Sequence, residues 1–210
     1  MSSPRRPVPL WVPVVVYALA MAQLAFAAFV PGIDRFADKA FGARMLAYAV
    51  LMLLVPMIWL LAERRRESPR RPPYGAFALV MLPFLVDVTG NSLDLYDSVV
   101  FWDDLNHFVN WALLCSGLGA IWLVGIRPRW AVVLAVTGLG AVLAIGWELG
   151  EWWTFIRHGT ELDTAYEDSL GDLVLGTLGA LVAGLAVRRW VGSRQEPGQD
   201  DRASRQPEPQ

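Results

Sequence analysis

Three separate stretches of the chain carry side chains whose types and spacing could do chemistry together. Asp103, His107 and Asn110 are spaced i, i+4, i+7, with Asp104 three residues before the histidine. Glu148 and Glu151 are spaced i, i+3, and Asp168 and Asp172 are spaced i, i+4. On a helix each set shares one face. Carboxylates grouped with an imidazole can ligate a divalent metal ion or act as a general acid/base pair. Asp103, Asp168 and Asp172 are the expected metal ligands, and His107, Glu148 and Glu151 the expected proton-moving, catalytic groups. Asp87, Asn91, Asn110 and Trp152 are the expected substrate contacts. The chain has no G-x-S-x-G motif, which argues against a serine hydrolase. Cys115, about two turns beyond His107 in apolar surroundings, reads as a packed small residue rather than a nucleophile.

The elements that must position these groups are membrane spans. The chain has 210 residues, 55% hydrophobic and only 18% charged, with a mean hydropathy of +0.38. A soluble domain carries about 25% charged residues, so one soluble core at this length is excluded. A formal net charge of −2 excludes a nucleic-acid binder driven by charge, and a single cysteine excludes an internal disulfide. About 20 apolar residues cross a bilayer as a helix. Six runs qualify: Val8–Val30, Leu46–Ala62, Tyr74 to about Val88, about Asn106 to Ile126, Trp130–Glu148 and Asp168–Val187. The expected fold is therefore an all-α, polytopic bundle of six transmembrane helices forming one domain over residues 1–190. The first run exceeds the roughly 7–15 residues of a signal peptide's apolar region, so a retained span is expected. Pro83 and Gly90 are expected to break the third helix around Asp87. Ile33, Phe36, Ala37, Ala40 and Phe41 follow helical spacing opposite Asp34, Asp38 and Lys39, as in a short external amphipathic helix lying on the bilayer. The Gln-, Pro- and Asp-rich residues 191–210 read as a disordered cytoplasmic tail.

Basic residues orient the bundle. With the N-terminus inside, fourteen arginines fall in cytoplasmic segments, and only Arg35, Lys39, Arg44 and Arg157 fall outside. Both termini are then cytoplasmic and the expected location is the plasma membrane. Six acids, Glu63, Glu67, Glu196, Asp200, Asp201 and Glu208, are cytoplasmic, and the other fourteen face outward or lie in the outer half of a span. Counting about 20 residues from the inner arginines of the last three spans reaches His107, Leu149 and Asp168, all at one outer level. Asp87 lies deeper, roughly 20 Å from the inner edge at 1.5 Å per residue. Gly176, Ala180 and Gly184 continue the face of Asp168 and Asp172, a small-residue row that permits close helix contact. Ala144, Ala141 and Thr137 continue the face of Glu148. The acids are thus expected to point into the bundle, where ionisable groups are functional candidates. Trp11, Trp102, Trp130, Trp147, Trp152, Trp153 and Trp190 lie near span ends, as interfacial anchors do.

The stretch Asp103-Asp104-Leu105-Asn106-His107-Phe108 resembles the D-x-x-x-H-F motif of VanZ-like membrane proteins, in particular the YjdF-like inner-membrane group. Glu148-Leu149-Gly150-Glu151-Trp152-Trp153 resembles that group's E-x-x-E-W-W. Asp168-Ser169-Leu170-Gly171-Asp172, followed by Leu178-Gly179-Ala180, resembles its D-T-x-x-D…L-G-A signature, with Ser169 and Leu170 where Thr and Gln are commoner. The resemblance covers about half the chain. It implies a bacterial multi-pass plasma-membrane protein without an agreed activity, and antibiotic tolerance is not carried over. Three functions follow from the residues. The first is an enzyme at the outer membrane–water boundary, assisted by a divalent metal ion and acting on a lipid-linked envelope substrate. The second is a non-catalytic envelope protein that binds an external ligand or partner. The third is a proton or cation transporter, disfavoured because residues 113–125, 131–146 and 173–187 carry no charge and no inverted repeat is visible. Expected partners are membrane lipids and that substrate, with no nucleic acid.

Overall fold

A computed structural model describes residues 7–36, 39–154, 156–158 and 165–193, and among these every regular element is helical. In chain order they are α1 (Trp11–Phe29), α2 (Phe41–Arg64), α3 (Tyr74–Ser92), the single turn α4 (Leu95–Ser98), α5 (Trp102–Leu118), α6 (Arg129–Thr154) and α7 (Ala165–Ser193). In lipid the backbone must satisfy its own hydrogen bonds, which is why the apolar runs become helices. Five of them, α1, α2, α3, α6 and α7, are long and apolar enough to cross a membrane. The fourth expected span is α5, whose 17 residues pass directly into a π-helical stretch over Gly119–Leu123.

Four of the helices, α2, α3, α6 and α7, overrun the apolar runs that announce them. Residues Phe41–Met45 precede the second run, and α6 continues six residues past Glu148 to Thr154. Hydropathy locates the part of a helix in hydrocarbon, not its ends in the headgroup layer. α3 is continuous through Pro83 and Gly90, contrary to the expected break. Neighbouring helices support such a helix across the one bond that proline removes. The expected surface helix is also corrected. Only Asp34–Phe36 forms a 3₁₀ turn there, and Ala37 and Asp38 lie outside the described residues. Phe36 packs edge-on against Phe26 and Phe41, and Phe41 is buried, so this apolar face turns into the bundle. Of the expected tail, residues 191–193 are the last of α7, and the rest lies outside the described residues.

Two three-helix groups meet along α3 and α5. Val16, Leu24, Met52, Met81 and Val88 bury the contact of α1, α2 and α3. Trp111, Cys115, Val132, Val136, Ala180 and Val187 bury that of α5, α6 and α7. Without a hydrophobic drive between helices in lipid, close backbone approach supplies the packing. Gly117 of α5 lies against α3, where a Cβ would stand 2.8 Å from the Ala76 carbonyl. Gly176, Ala180 and Gly184 do line the contact face of α7: Gly176 faces Trp111, Ala180 faces Gly140, and Gly184 faces the backbone of Val133. On α6 the buried stripe is Val132, Val136, Gly140, Ala144 and Glu148, at strict i, i+4 spacing. Leu46, Val50, Leu54, Met57 and Leu61 of α2 point outward, as lipid-facing residues do.

Candidate functional site

α7 lies against both α5 and α6, and this places the three chemistry-bearing stretches around one imidazole. His107 Nε2 stands 3.7 Å from Asp172 Oδ1 on α7 and 3.8 Å from Asp103 Oδ1 on its own helix. Its other nitrogen, Nδ1, stands 4.0 Å from Glu148 Oε1 on α6. Asp103, His107 and Asp172 each offer a ligand atom within 4.8 Å of the others, and so do His107, Glu148 and Glu151. Asp172 and Glu148 are buried, while Asp103 is half-exposed and opens the group to the outside. Below it the buried side chains of α5–α7 are apolar, from Trp111 and Cys115 down to Val187 and Val191.

The separations decide what the group can do. A nitrogen 3.7–4.0 Å from an oxygen is too far for a hydrogen bond. Two ligands each about 2.1 Å from one ion stand roughly 3.4 Å apart in a tetrahedron. Carboxylates that ring an imidazole just beyond hydrogen-bond reach suit a shared cation. Because the two nitrogens face different acids, one can bind while the other donates its N–H to a carboxylate, the usual support of a metal-bound histidine.

Not every expected residue joins. Asp168 is exposed, one turn from Asp172 towards the start of α7, and belongs to neither ligand group. Trp152 is 48% exposed and meets Trp153 in a tilted ring contact. Asp87 and Asn91 stand in a second polar network beside the first. The Asp87 carboxylate accepts hydrogen bonds from Arg44 Nη1 at 3.1 Å, from Tyr96 Oη at 2.8 Å, from Asn91 Nδ2 at 3.3 Å, and from Tyr48 Oη. Tyr96 Oη in turn accepts from Asn106 Nδ2, and Asn106 Oδ1 accepts from Asn110 Nδ2 at 2.7 Å. This chain of bonds runs from Asp87 to one turn below His107. Asn110 Oδ1 and Trp102 Nε1 are buried and have no hydrogen-bond partner among the described residues. Arg44 and Tyr48 are members of this network that the motifs do not single out. Their signal is an Arg and a Tyr at i, i+4 in the first two turns of a long apolar helix.

A family model described as "Predicted membrane protein (DUF2238)" matches residues 12–193. This chain belongs to the DUF2238 family of membrane proteins. The match spans every long helix of this DUF2238 chain and all the groups around His107. No curated protein and no solved structure matches the chain.

Outside the bundle, Lys39 Nζ bridges Asp94 at 3.1 Å and Asp97 at 2.5 Å, tying the approach to α2 to the turn around α4. Burial lowers the proton affinity of Lys39, but hydrogen bonds to Asp97 and Asp94 outweigh it and hold the ammonium above its ordinary value. The hydrogen bond from Lys39 holds the Asp97 carboxyl below the ordinary range.

Proposed function

We propose that this DUF2238 protein binds a divalent cation between α5, α6 and α7, with His107 as a ligand oriented by Glu148, and uses it in metal-assisted chemistry at the membrane–water boundary. The single observation that carries the reading is His107 ringed by carboxylates from three helices at 3.7–4.0 Å. Asp103 and Asp172 are the ligands on the Nε2 side, Glu148 orients the ring from Nδ1, and Glu151 lies within reach of His107 and Glu148. Asp168, exposed at the rim, acts as an outer charge that draws cations in. A bound cation would polarise a phosphoryl or carbonyl oxygen or activate water. Asn110 Oδ1 and Trp102 Nε1, buried and unpaired, are suited to polar groups of a substrate. Asp87 and Asn91 support the site through Tyr96 and Asn106.

The substrate class we favour is a lipid-linked envelope molecule entering from the outer leaflet, alongside ordinary membrane lipids. This reading takes α5 and its π-helical continuation, together roughly 30 Å long, as a sixth span in the plasma membrane, with both termini cytoplasmic. It also takes the motif resemblance to VanZ-like and YjdF-like proteins as kinship. The apolar core beneath His107 favours a closed site over a transport route. Metal analysis of the detergent-purified full chain, followed by Mn²⁺ and Zn²⁺ titration calorimetry, tests the reading. Wild type should bind one equivalent, and Asp172→Asn and His107→Ala should bind at least about tenfold more weakly. Equal affinity in all three proteins, each eluting as a monodisperse peak, would overturn it. Binding that survives Asp172→Asn but is lost in Glu148→Gln would move the ion to the Nδ1 side.

A further inference from the structure

A lateral crevice opens on the α1–α3 side of the bundle, at the end that also carries His107. Its volume is about 330 Å³, within the range of small-molecule pockets. One wall is a single face of α1, made by Leu19, Ala22, Gln23 and Phe26 at i, i+3, i+4, i+7. Ser92 and Leu93 at the end of α3 and Arg35 in the turn after α1 complete it. The crevice changes in character along the helices. Leu19, 50% exposed, is deepest. Gln23 follows, held by a hydrogen bond from its Nε2 to Thr89 Oγ1 of α3 at 3.2 Å. Phe26 and Ser92 lie one turn further on, and the exposed Arg35 lies beyond the end of α1. Ser92 Oγ is buried and has no hydrogen-bond partner among the described residues. A buried hydroxyl without a partner is rare and needs an explanation. Arg35 enters no hydrogen bond or ion pair among the described residues, and its guanidinium lies over the Phe36 ring, 5.2 Å from the centroid. That contact uses the flat face of the group and leaves its N–H edge available. No carboxylate lines the crevice among the described residues.

We propose that this crevice binds a phospholipid, with the phosphate on Arg35, a glycerol ester on Ser92 and an acyl chain along Leu19, Phe26 and Leu93. A phospholipid presents the same order of groups as the crevice: an anion, then hydrogen-bond acceptors, then hydrocarbon. The guanidinium edge donates charge-assisted hydrogen bonds to phosphate oxygens. The Ser92 hydroxyl donates to an ester carbonyl, which gives the buried group the partner it lacks within the chain. Leu19, Phe26 and Leu93 are all half-exposed, so the space beside them opens to the bilayer, whose acyl chains are its available filling. Two plainer roles exist. The Gln23–Thr89 bond ties α1 to α3, and an arginine laid on an aromatic ring anchors the chain at the interface. Neither requires a cavity between them or a buried hydroxyl without a partner. The inference is independent of the cation site near His107.

Native mass spectrometry of the full chain in neutral detergent tests it, with phosphatidylglycerol or a diacylglycerol of the same chains added. Wild type should retain phosphatidylglycerol about tenfold or more over diacylglycerol, the worth of a hydrogen bond to a charged group. Arg35→Gln should lose that preference. Ser92→Ala should retain both lipids more weakly, because the ester they share loses its donor. Ala22→Trp fills the crevice, leaves every charge in place and should retain neither. Arg64→Gln removes the same charge from the end of α2 and should keep the wild-type preference. Four outcomes would overturn the proposal. No preference in wild type is the first. Equal loss in Arg64→Gln is the second, since it would make the effect general surface charge. Unaltered retention in Ala22→Trp or Ser92→Ala is the third, since it would place the lipid elsewhere. Displacement of the lipid by millimolar inorganic phosphate is the fourth, since it would make this a free-anion site. Unchanged elution of each variant keeps misfolding from counting as loss, and Arg35, exposed in a turn, can be replaced without disturbing a helix contact.

Discussion

At His107 the two ring nitrogens face different acids, so substitutions there should be unequal in effect. Asp172→Asn removes a charged ligand candidate and should abolish tight cation binding. Glu148→Gln leaves the ligands in place and weakens only the support of the ring, which typically costs about 10–100-fold in affinity. Titration calorimetry of the two variants separates a ligand from its support, and equal losses would remove the distinction. The grouping of His107 with Asp103, Glu148 and Asp172 was legible in the sequence, because spacing fixes a helix face and the arginine-to-acid count fixes depth. The separation of Asp172 from Asp168 was not, since both occupy one face and only the tilt of α7 against α5 decides which is covered. The partners of Asp87 were equally hidden. Arg44 and Tyr48 reach it from 43 and 39 residues away, a separation no local pattern encodes. Replacing Asp87 with Asn leaves Arg44 without its charged acceptor and should destabilise the fold by about 1–3 kcal/mol. The measurement is thermal unfolding in detergent, and an unchanged midpoint would show that the network carries no stability.

Among the helices, contact is made by backbone against backbone. A Cβ on Gly179 of α7 would clash with the Phe108 carbonyl and stand 3.0 Å from the Ala112 nitrogen of α5. Neither neighbour is a flexible side chain that could give way. Gly179→Ala should therefore destabilise by about 1–3 kcal/mol. Gly171→Ala, with open space around it, should not lower the midpoint at all. Thermal unfolding of the pair checks this, and equal midpoints would mean that the helices adjust freely. The small-residue row on α7 was legible, because glycine or alanine at every fourth position of a membrane helix marks a face that another helix approaches closely. Helix ends were not, because hydropathy fades in the headgroup layer while backbone hydrogen bonding continues. The fate of Pro83 was hidden for a related reason: whether α3 breaks there depends on the helices beside it.

Seen whole, the molecule closes one end with a clasp and lines the other with arginines. The hydrogen bonds that depress Asp97 contribute stability above the ordinary carboxylate value, near pH 4, and are lost as pH falls through the lowered value. The same bonds raise Lys39, so its contribution is full below the ordinary lysine value, near pH 10, and is lost as pH rises further. The clasp should thus be constant from about pH 5 to pH 9, and modest because Asp97 is exposed, a few tenths of a kcal/mol. The difference in melting temperature between wild type and Lys39→Met should hold across that window and shrink below about pH 4. A difference that changes steadily through pH 7 would assign the effect to other groups. The close seating of Gly179 on Phe108 has a wider consequence. It lies two turns from Asp172 and next to His107, so main-chain atoms set the gap that the imidazole and the carboxylate span. Repacking nearby side chains cannot resize that aperture. For the cation binding proposed above, selectivity between ions of different radius would then be written into the skeleton, and only a change of ligand type would retune it.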